Sequence, residues 1–427
     1  MSGDWIGATL SDARLAFVRS RFRDTSLLAS ASVLTGLLAY AFFALSTRAL
    51  GAEVAAPVSV LWTYWSFASA AFTFPLQQWV VRSVVAHRGE GAVHAALPQV
   101  SVVVIGVAAV SGAGAWWLRE ALFRSDSPSF PLLVAVVTLG SGFIGVVRGG
   151  LAARRRFTAL AVALVAENGV RVVAALALLI SGVTDPVSFG LVLAAGAWVG
   201  LLWPSAFRFA RGTGDGASES ALGFLGGASG GQLAGQTVLT GGPVVLALTG
   251  GSPADVTILF AALALFRAPY QVALVVVARV TGGLTTRYVS GDVVAIRRWR
   301  RGLLTATLVG VPAGAALGAL LGPRLLPLIF GAGVELSAGS CAVLAAGSTV
   351  ALTNLMLTVM LMAQGRTWAV LRGWLVGIAA AALVLALVQS AELTVVSWAF
   401  VVAELVACLA LALSELRGVA GSLVWRR

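Results

Sequence analysis

The chain has 427 residues, 59% of them hydrophobic and 11% charged, and its mean hydropathy is +0.95. Soluble domains carry about a quarter charged residues, so this balance excludes a water-soluble enzyme and places the chain in a bilayer. The net charge is +12 and all 29 basic residues are arginine; a Walker A loop needs its lysine, so a P-loop ATPase within the chain is excluded too.

Spanning a hydrocarbon core of about 30 Å takes roughly 20 apolar residues, and such runs recur twelve times. A basic segment over 1–24, containing "DARLAFVRSRFRD", precedes the first. It reads either as an amphipathic helix lying on the inner leaflet or as the stop signal for the first span. The first six spans fall near 25–47, 57–81, 97–118, 131–151, 158–181 and 187–208. A Gly/Ser-rich stretch over 209–221, containing "ARGTGDGASESA", then reads as a linker. Six more spans fall near 222–249, 256–280, 302–322, 337–362, 369–389 and 394–414, followed by a tail over 415–427.

Twenty arginines flank these spans on one side, against four (Arg48, Arg119, Arg124 and Arg324) on the other. That bias predicts an even number of spans with both termini cytoplasmic, and reads the positive charge as topology rather than as a nucleic-acid surface. Membrane lipids with anionic headgroups are expected partners of the same arginines.

The two halves echo each other. "FTFPLQQWVVR" ends the second span, and "LFRAPYQVALVVVAR" occupies the matching place in the eighth. Pro75 and Gln77 align with Pro269 and Gln271 at one common offset, and a basic residue follows each pair, Arg82 and Arg279. With six helices per half, the repeat is parallel about an axis along the membrane normal. The expected fold is therefore all-α and polytopic: an N-lobe over 25–208 and a C-lobe over 222–414, joined by the linker.

Charges near the middle of a span mark an ion pair or a wet pathway, because a bare charge at mid-membrane costs about 2.5–3.5 kcal/mol on insertion scales. Four such residues stand out: Glu167 and Arg171 in the fifth span, Arg267 in the eighth, and Glu404 in the twelfth. Glu167 and Arg171 are four apart on one helix face, in the favourable order for mutual neutralisation. They read as an ion pair held with Asn168, or as a pair lining a cavity. Arg267 has no acid on its own helix, and Pro269 breaks the backbone beside it. It reads as the partner of Glu404 across helices, or as an anion-receiving guanidinium in a cleft between the lobes. Glu404 reads as that partner or as a proton-coupling carboxylate.

The seventh span is thick with glycine, with GxxxG spacings at Gly227–Gly231 and Gly231–Gly235 that favour close helix packing or a pliable segment. Gln232 and Gln236 share one face of it and are candidate donors to sugar hydroxyls. Cys341 and Cys408 lie in apolar runs, and His87 and His94 share a loop with only Glu90 nearby, so neither a metal site nor a cofactor is expected.

"STRALGA" closing the first span, "FPLQQWVVRSVV" closing the second and "LFRAP" in the eighth, set on twelve helices in two lobes, resemble the multidrug/oligosaccharidyl-lipid/polysaccharide exporter superfamily. Within it they resemble the Wzx-type polysaccharide flippases. The chain departs from that pattern after "RALGA", where it reads "EVAAPVSVLW" in place of an aromatic–glycine step. The resemblance implies a V-shaped cleft lined by the first, second, seventh and eighth spans. It also implies a transporter, not an enzyme, of the bacterial cytoplasmic membrane. Its cargo would be a polyprenyl-diphosphate-linked glycan, flipped by alternating access. Arg267, Gln232, Gln236, Arg82 and Arg279 are the expected substrate contacts. Polysaccharide polymerase and glycosyltransferases are further expected partners. A multidrug exporter of the same superfamily is the alternative, with a membrane-embedded glycosyltransferase behind it.

Overall fold

In a computed structural model, residues 4–86, 90–124, 127–211, 221–273, 284, 287, 288, 292–364 and 366–424 are described, and they form a multi-pass, all-helical membrane protein. Among the described residues, eight helices are long and apolar enough to cross a bilayer unbroken. They are the first span (Asp4–Val54), third (Gly91–Trp117), fourth (Ser129–Ala153), fifth (Phe157–Ile180), ninth (Val293–Phe330), tenth (Ala338–Ala363), eleventh (Thr367–Leu387) and twelfth (Glu392–Val424). The first is helical from Asp4 onward and kinks at Gly51. The ninth overruns the apolar run read from the sequence at both ends.

The other four spans are built in pieces. The second runs Ala56–Ala68, widens into a π-helical turn over Ser69–Thr73, and resumes as Phe74–Ala86. The sixth is α-helical over Pro186–Ala195 and tightens to 3-10 over Gly196–Leu202. The seventh was expected to be continuous, but it divides into Ala221–Thr240 and Gly242–Leu248. Gly241 sits at that break with the Thr237 carbonyl where a side chain would go. The eighth runs Pro253–Phe266, turns at Arg267, and is helical again over 268–273. Pro269 supplies no N–H to the preceding turn, which explains the interruption.

Helix starts follow local chemistry. Asp185, Ser252, Asp292 and Ser337 each accept a bond from a first-turn N–H, from Ser188 (3.0 Å), Asp255 (3.1 Å), Ala295 (3.0 Å) and Ser340 (3.2 Å), and so cap the sixth, eighth, ninth and tenth spans. Pro186 and Pro253 occupy the first helical position, where a missing N–H costs nothing.

The twelve spans form two six-helix lobes with the same internal packing. In the N-lobe the first span packs on the fifth, the third on the fourth, and the fourth on the second and sixth. In the C-lobe the seventh packs on the eleventh, the ninth on the tenth, and the tenth on the eighth and twelfth. Every pair recurs six spans later, as a parallel repeat requires. Glycines in the fourth span allow the closest approach. A Cβ on Gly145 would stand 2.9 Å from the Thr73 carbonyl oxygen, so the π turn of the second span lies directly on that helix.

The lobes meet through spans 1 and 2 on one side and spans 7 and 8 on the other. Away from the arginine-rich loops, one continuous apolar core joins them, including Phe43, Leu61, Phe189, Leu259 and Phe330. The Phe43 and Phe260 rings are 4.2 Å apart across the junction. Toward the arginine-rich end the buried clusters separate by lobe: Leu76, Val80 and Val93 with Phe209 in one, Leu361, Val370 and Leu411 in the other. The two lobes are thus welded at one end and hold independent cores at the other.

Candidate functional site

Two buried polar centres carry the mid-membrane charges, one in each lobe. The N-lobe centre is the more crowded. Arg171, fully buried in the fifth span, brings Nη2 to 3.1 Å from Glu167 Oε1, close enough for an ion pair but misaligned for a hydrogen bond. Its Nη1 donates to Asn168 Oδ1 at 2.8 Å and its Nε to the Leu193 carbonyl of the sixth span at 2.9 Å. The Trp65 ring of the second span covers the guanidinium, 4.6 Å from its centroid. Arg148 of the fourth span donates to the other carboxylate oxygen of Glu167, while its own Nε is buried without a partner. Glu167 therefore bridges two arginines, and the centre holds one more positive than negative charge. Gly196 makes room for it, since any Cβ there would overlap the Arg171 guanidinium.

Arg148 was legible in the sequence only as a residue near a span end, and nothing in the linear pattern placed it on Glu167. Gly196 and Trp65 carried no signal at all.

The C-lobe centre is sparser. Glu404, fully buried in the twelfth span, accepts at Oε2 from Asn354 Nδ2 of the tenth span at 2.7 Å, and the same nitrogen donates to the Glu404 backbone carbonyl at 2.8 Å. Among the described residues Glu404 Oε1 and Asn354 Oδ1 are both buried without a partner. Asn354, like Arg148, escaped the sequence reading, because an amide in a run of apolar and hydroxyl residues has no distinguishing spacing.

Arg267 lies at the turn of the eighth span, only 6% exposed. Its guanidinium sits 5.3 Å from the centroid of the Phe400 ring on the twelfth span. Tyr40 of the first span and Tyr270 and Glu404 in its own lobe complete its electrostatic neighbourhood. Nε and Nη2 have no hydrogen-bond partner, and no carboxylate forms an ion pair with it among the described residues. The residue therefore stands where the first span of one lobe meets the eighth and twelfth of the other, with donors to spare. The repeat sharpens the contrast. At the offset that aligns Pro75 with Pro269, the counterpart of Arg267 is Thr73, whose hydroxyl is satisfied by the Ser141 carbonyl at 3.0 Å.

The remaining candidate contacts are more scattered. Gln236 donates to Thr240 Oγ1 on its own helix at 3.3 Å, and Gln232 is exposed one turn earlier. Arg82 is exposed near the arginine-rich end of the second span. Arg279 lies outside the described residues.

No family model matches the sequence, and no curated protein matches it. Solved structures do match its fold. The chain is similar to a multidrug resistance MATE family transporter of the MOP superfamily in its inward-facing conformation, with a TM-score of 0.67 at 14% identity, covering 93% of this chain and 98% of that one. Against an outward-facing conformation of such a transporter the TM-score is 0.61, at 14% identity and 93% and 96% coverage. A MOP superfamily transporter from Pyrococcus furiosus, described as having a binding pocket of reverse polarity that suggests a different function, gives 0.59 at 14% identity, with 93% and 95% coverage. These likenesses show the fold.

Proposed function

We propose that the chain is a secondary transporter of the bacterial cytoplasmic membrane that moves an anionic, lipid-linked glycan by rocking its two lobes. The observation that carries this reading is Arg267: a guanidinium buried where the lobes meet, with Nε and Nη2 unpartnered among the described residues, beside a carboxylate that gives one oxygen to Asn354 and forms no ion pair with it. A planar fork that keeps its charge at any physiological pH is suited to a diphosphate, donating to two oxygens at once. The sugar portion would meet Gln232 and Gln236 on the seventh span. Arg82 and Arg279 would attract the diphosphate from the cytoplasmic side. The split cores at the arginine-rich end, and the greater likeness to an inward-facing than to an outward-facing transporter, support a cycle in which this state is open to the cytoplasm. A flippase has the further need that its cargo's lipid tail stay in the bilayer while the head crosses.

A second reading is export of small cationic molecules. One observation favours it: Glu404 Oε1 is a buried carboxylate oxygen without a partner, which suits a cation.

Reconstitution into liposomes separates the two. With a labelled polyprenyl-diphosphate glycan in the bilayer, the wild type is expected to carry the label beyond reach of an external probe, and Arg267→Ala to lose this by at least about a hundredfold, as expected for a charged group removed from a buried phosphate contact. Dye efflux from the same vesicles reports the cationic alternative. Normal glycan flipping by Arg267→Ala would refute the contact.

A further inference from the structure

The fourth and fifth spans close with the same backbone turn but different residues at its left-handed position. After the fifth span, the N–H of Gly182 (φ +70°) donates to the Leu179 carbonyl at 3.1 Å and that of Val183 to Leu178 at 3.0 Å. After the fourth, the N–H of Arg155 (φ +56°) donates to Ala152 at 3.0 Å and that of Arg156 to Leu151 at 2.9 Å. This pair of bonds ends many helices, and its left-handed residue is ordinarily glycine because a Cβ crowds the following carbonyl. At these two turns the chain places glycine once and arginine once. Strain kept at a surface turn points to a task for the side chain that causes it.

The surroundings indicate the task. Arg154 is committed: it donates to Glu90 Oε1 at 2.7 Å, to the Ser205 carbonyl, and to the Arg208 carbonyl at 2.8 Å. Glu90, the carboxylate of this cluster, also accepts from the Ala210 N–H at 2.9 Å, so it is engaged on both oxygens. Those bonds fold the end of the sixth span against the turn. Arg155, Arg208 and Arg211 are exposed there, with no side-chain partner among the described residues, and Arg156 commits only Nη1, to Ser205 Oγ at 3.2 Å. The fourth helix has 25 residues, about 37 Å at 1.5 Å per residue, so the turn emerges at the level of the lipid headgroups.

We propose that Arg155, together with Arg156 and Arg208, forms a binding site for the phosphate of a membrane lipid at the arginine-rich face of the N-lobe. Arg155 is exposed at the left-handed turn, next in sequence to Arg156, which has donors to spare, and the carboxylate of the cluster is already engaged by Arg154 and Ala210. Two or three guanidiniums then meet one phosphate through charge-assisted bonds. A phospholipid headgroup and the diphosphate of a lipid-linked cargo share this chemistry, and the site stands whether or not the chain transports a glycan.

Native mass spectrometry of the purified full chain tests the site, with phosphatidylglycerol, phosphatidylcholine or polyprenyl diphosphate added, alongside thermal unfolding in the same detergent. Arg155→Gly relieves the turn and removes the charge. It is expected to unfold at the same temperature as the wild type or higher, yet to retain phosphatidylglycerol or polyprenyl diphosphate about fivefold less well. Arg155→Ala keeps the strain and loses the charge, so it should match the glycine variant in lipid retention and unfold below it. A deficit for phosphatidylglycerol assigns the site to bulk lipid, and a deficit confined to polyprenyl diphosphate assigns it to cargo. Undiminished retention of both lipids by Arg155→Gly overturns the proposal. A lower unfolding temperature for Arg155→Gly also overturns it, because the arginine would then serve the fold.

Discussion

Arg267 and Glu404 share the interior of the C-lobe without forming an ion pair. Asn354 holds one oxygen of the carboxylate at 2.7 Å, and the guanidinium turns to the face of Phe400 instead. Two opposite charges kept apart in a low-dielectric interior are each left attractive to something else. Of the two readings open for Glu404, partner of Arg267 or proton-coupling carboxylate, neither is made by the contact seen: Glu404 pairs with Asn354, beside a guanidinium that forms no ion pair among the described residues.

If Glu404 does not hold Arg267, its charge is dispensable for folding while its hydrogen bond is not. Glu404→Gln still offers an oxygen to Asn354 Nδ2 and should unfold within a few degrees of the wild type. Glu404→Ala leaves the Asn354 amide with only its bond to the backbone carbonyl of residue 404, and should lose about 1–3 kcal/mol. Thermal unfolding in detergent checks both, and a glutamine variant as unstable as the alanine one would restore the ion-pair reading.

In the N-lobe the charge count decides which substitution hurts. Glu167 bridges Arg148 and Arg171, so Glu167→Gln leaves two guanidiniums buried against each other. Removing one partner of a buried ion pair costs about 3–5 kcal/mol. Arg148→Gln instead removes the surplus charge and leaves Glu167 with Arg171, so it should be milder, and adding it to Glu167→Gln should recover folded protein. The yield of monodisperse protein after extraction reads the order; equal damage from both single variants would contradict it.

Two arginines clasp the lobes at the welded end. Arg48 of the first span donates from Nε to the Ile329 carbonyl at 3.0 Å and from Nη2 to the Leu328 carbonyl, capping the last turn of the ninth span. Arg124 donates to the Gly251 carbonyl at 2.9 Å, across the lobe boundary. Hydrogen bonds to charged groups contribute about 1.5–3 kcal/mol each, so on the proposed rocking cycle Arg48→Ala should shift the balance toward the state open at that end by roughly tenfold or more. Distances between spin labels on spans 5 and 11 near the arginine-rich end would shorten in the variant. An unchanged distribution would mean that the apolar weld alone sets the state.

The clamp at the arginine-rich end of the N-lobe should respond to acid. A hydrogen bond from Arg154 holds the Glu90 carboxyl below its usual range. A lowered native pKa contributes stability that is complete above the unfolded value of about 4.3 and fades as pH falls through the native value. The advantage of the wild type over Glu90→Gln should therefore be constant above about pH 5 and shrink below it. Unfolding curves that run parallel down to about pH 3 would show that this bond adds nothing.

Much of this architecture was legible in the chain itself. A bilayer admits few backbone solutions, so apolar length alone located twelve spans. The Pro-x-Gln echo pointed to two lobes, and it marks the two spans that depart from regular helix just before Pro75 and Pro269. Linear spacing also paired Glu167 with Arg171, because four residues return a helix to the same face.

What the tertiary structure alone decided was which charges meet across helices. Arg148 reaches Glu167 because the fourth and fifth spans pack side by side, and Arg171 fits because Gly196 lacks a Cβ; neither contact has a period along the chain. Asn354 takes one oxygen of Glu404 by facing it from a helix fifty residues away, and Arg267 forms no ion pair among the described residues. Local sequence reports which residues share a face. Only packing, which couples residues far apart through shape and desolvation, reports whether a buried charge is satisfied or still seeking a partner.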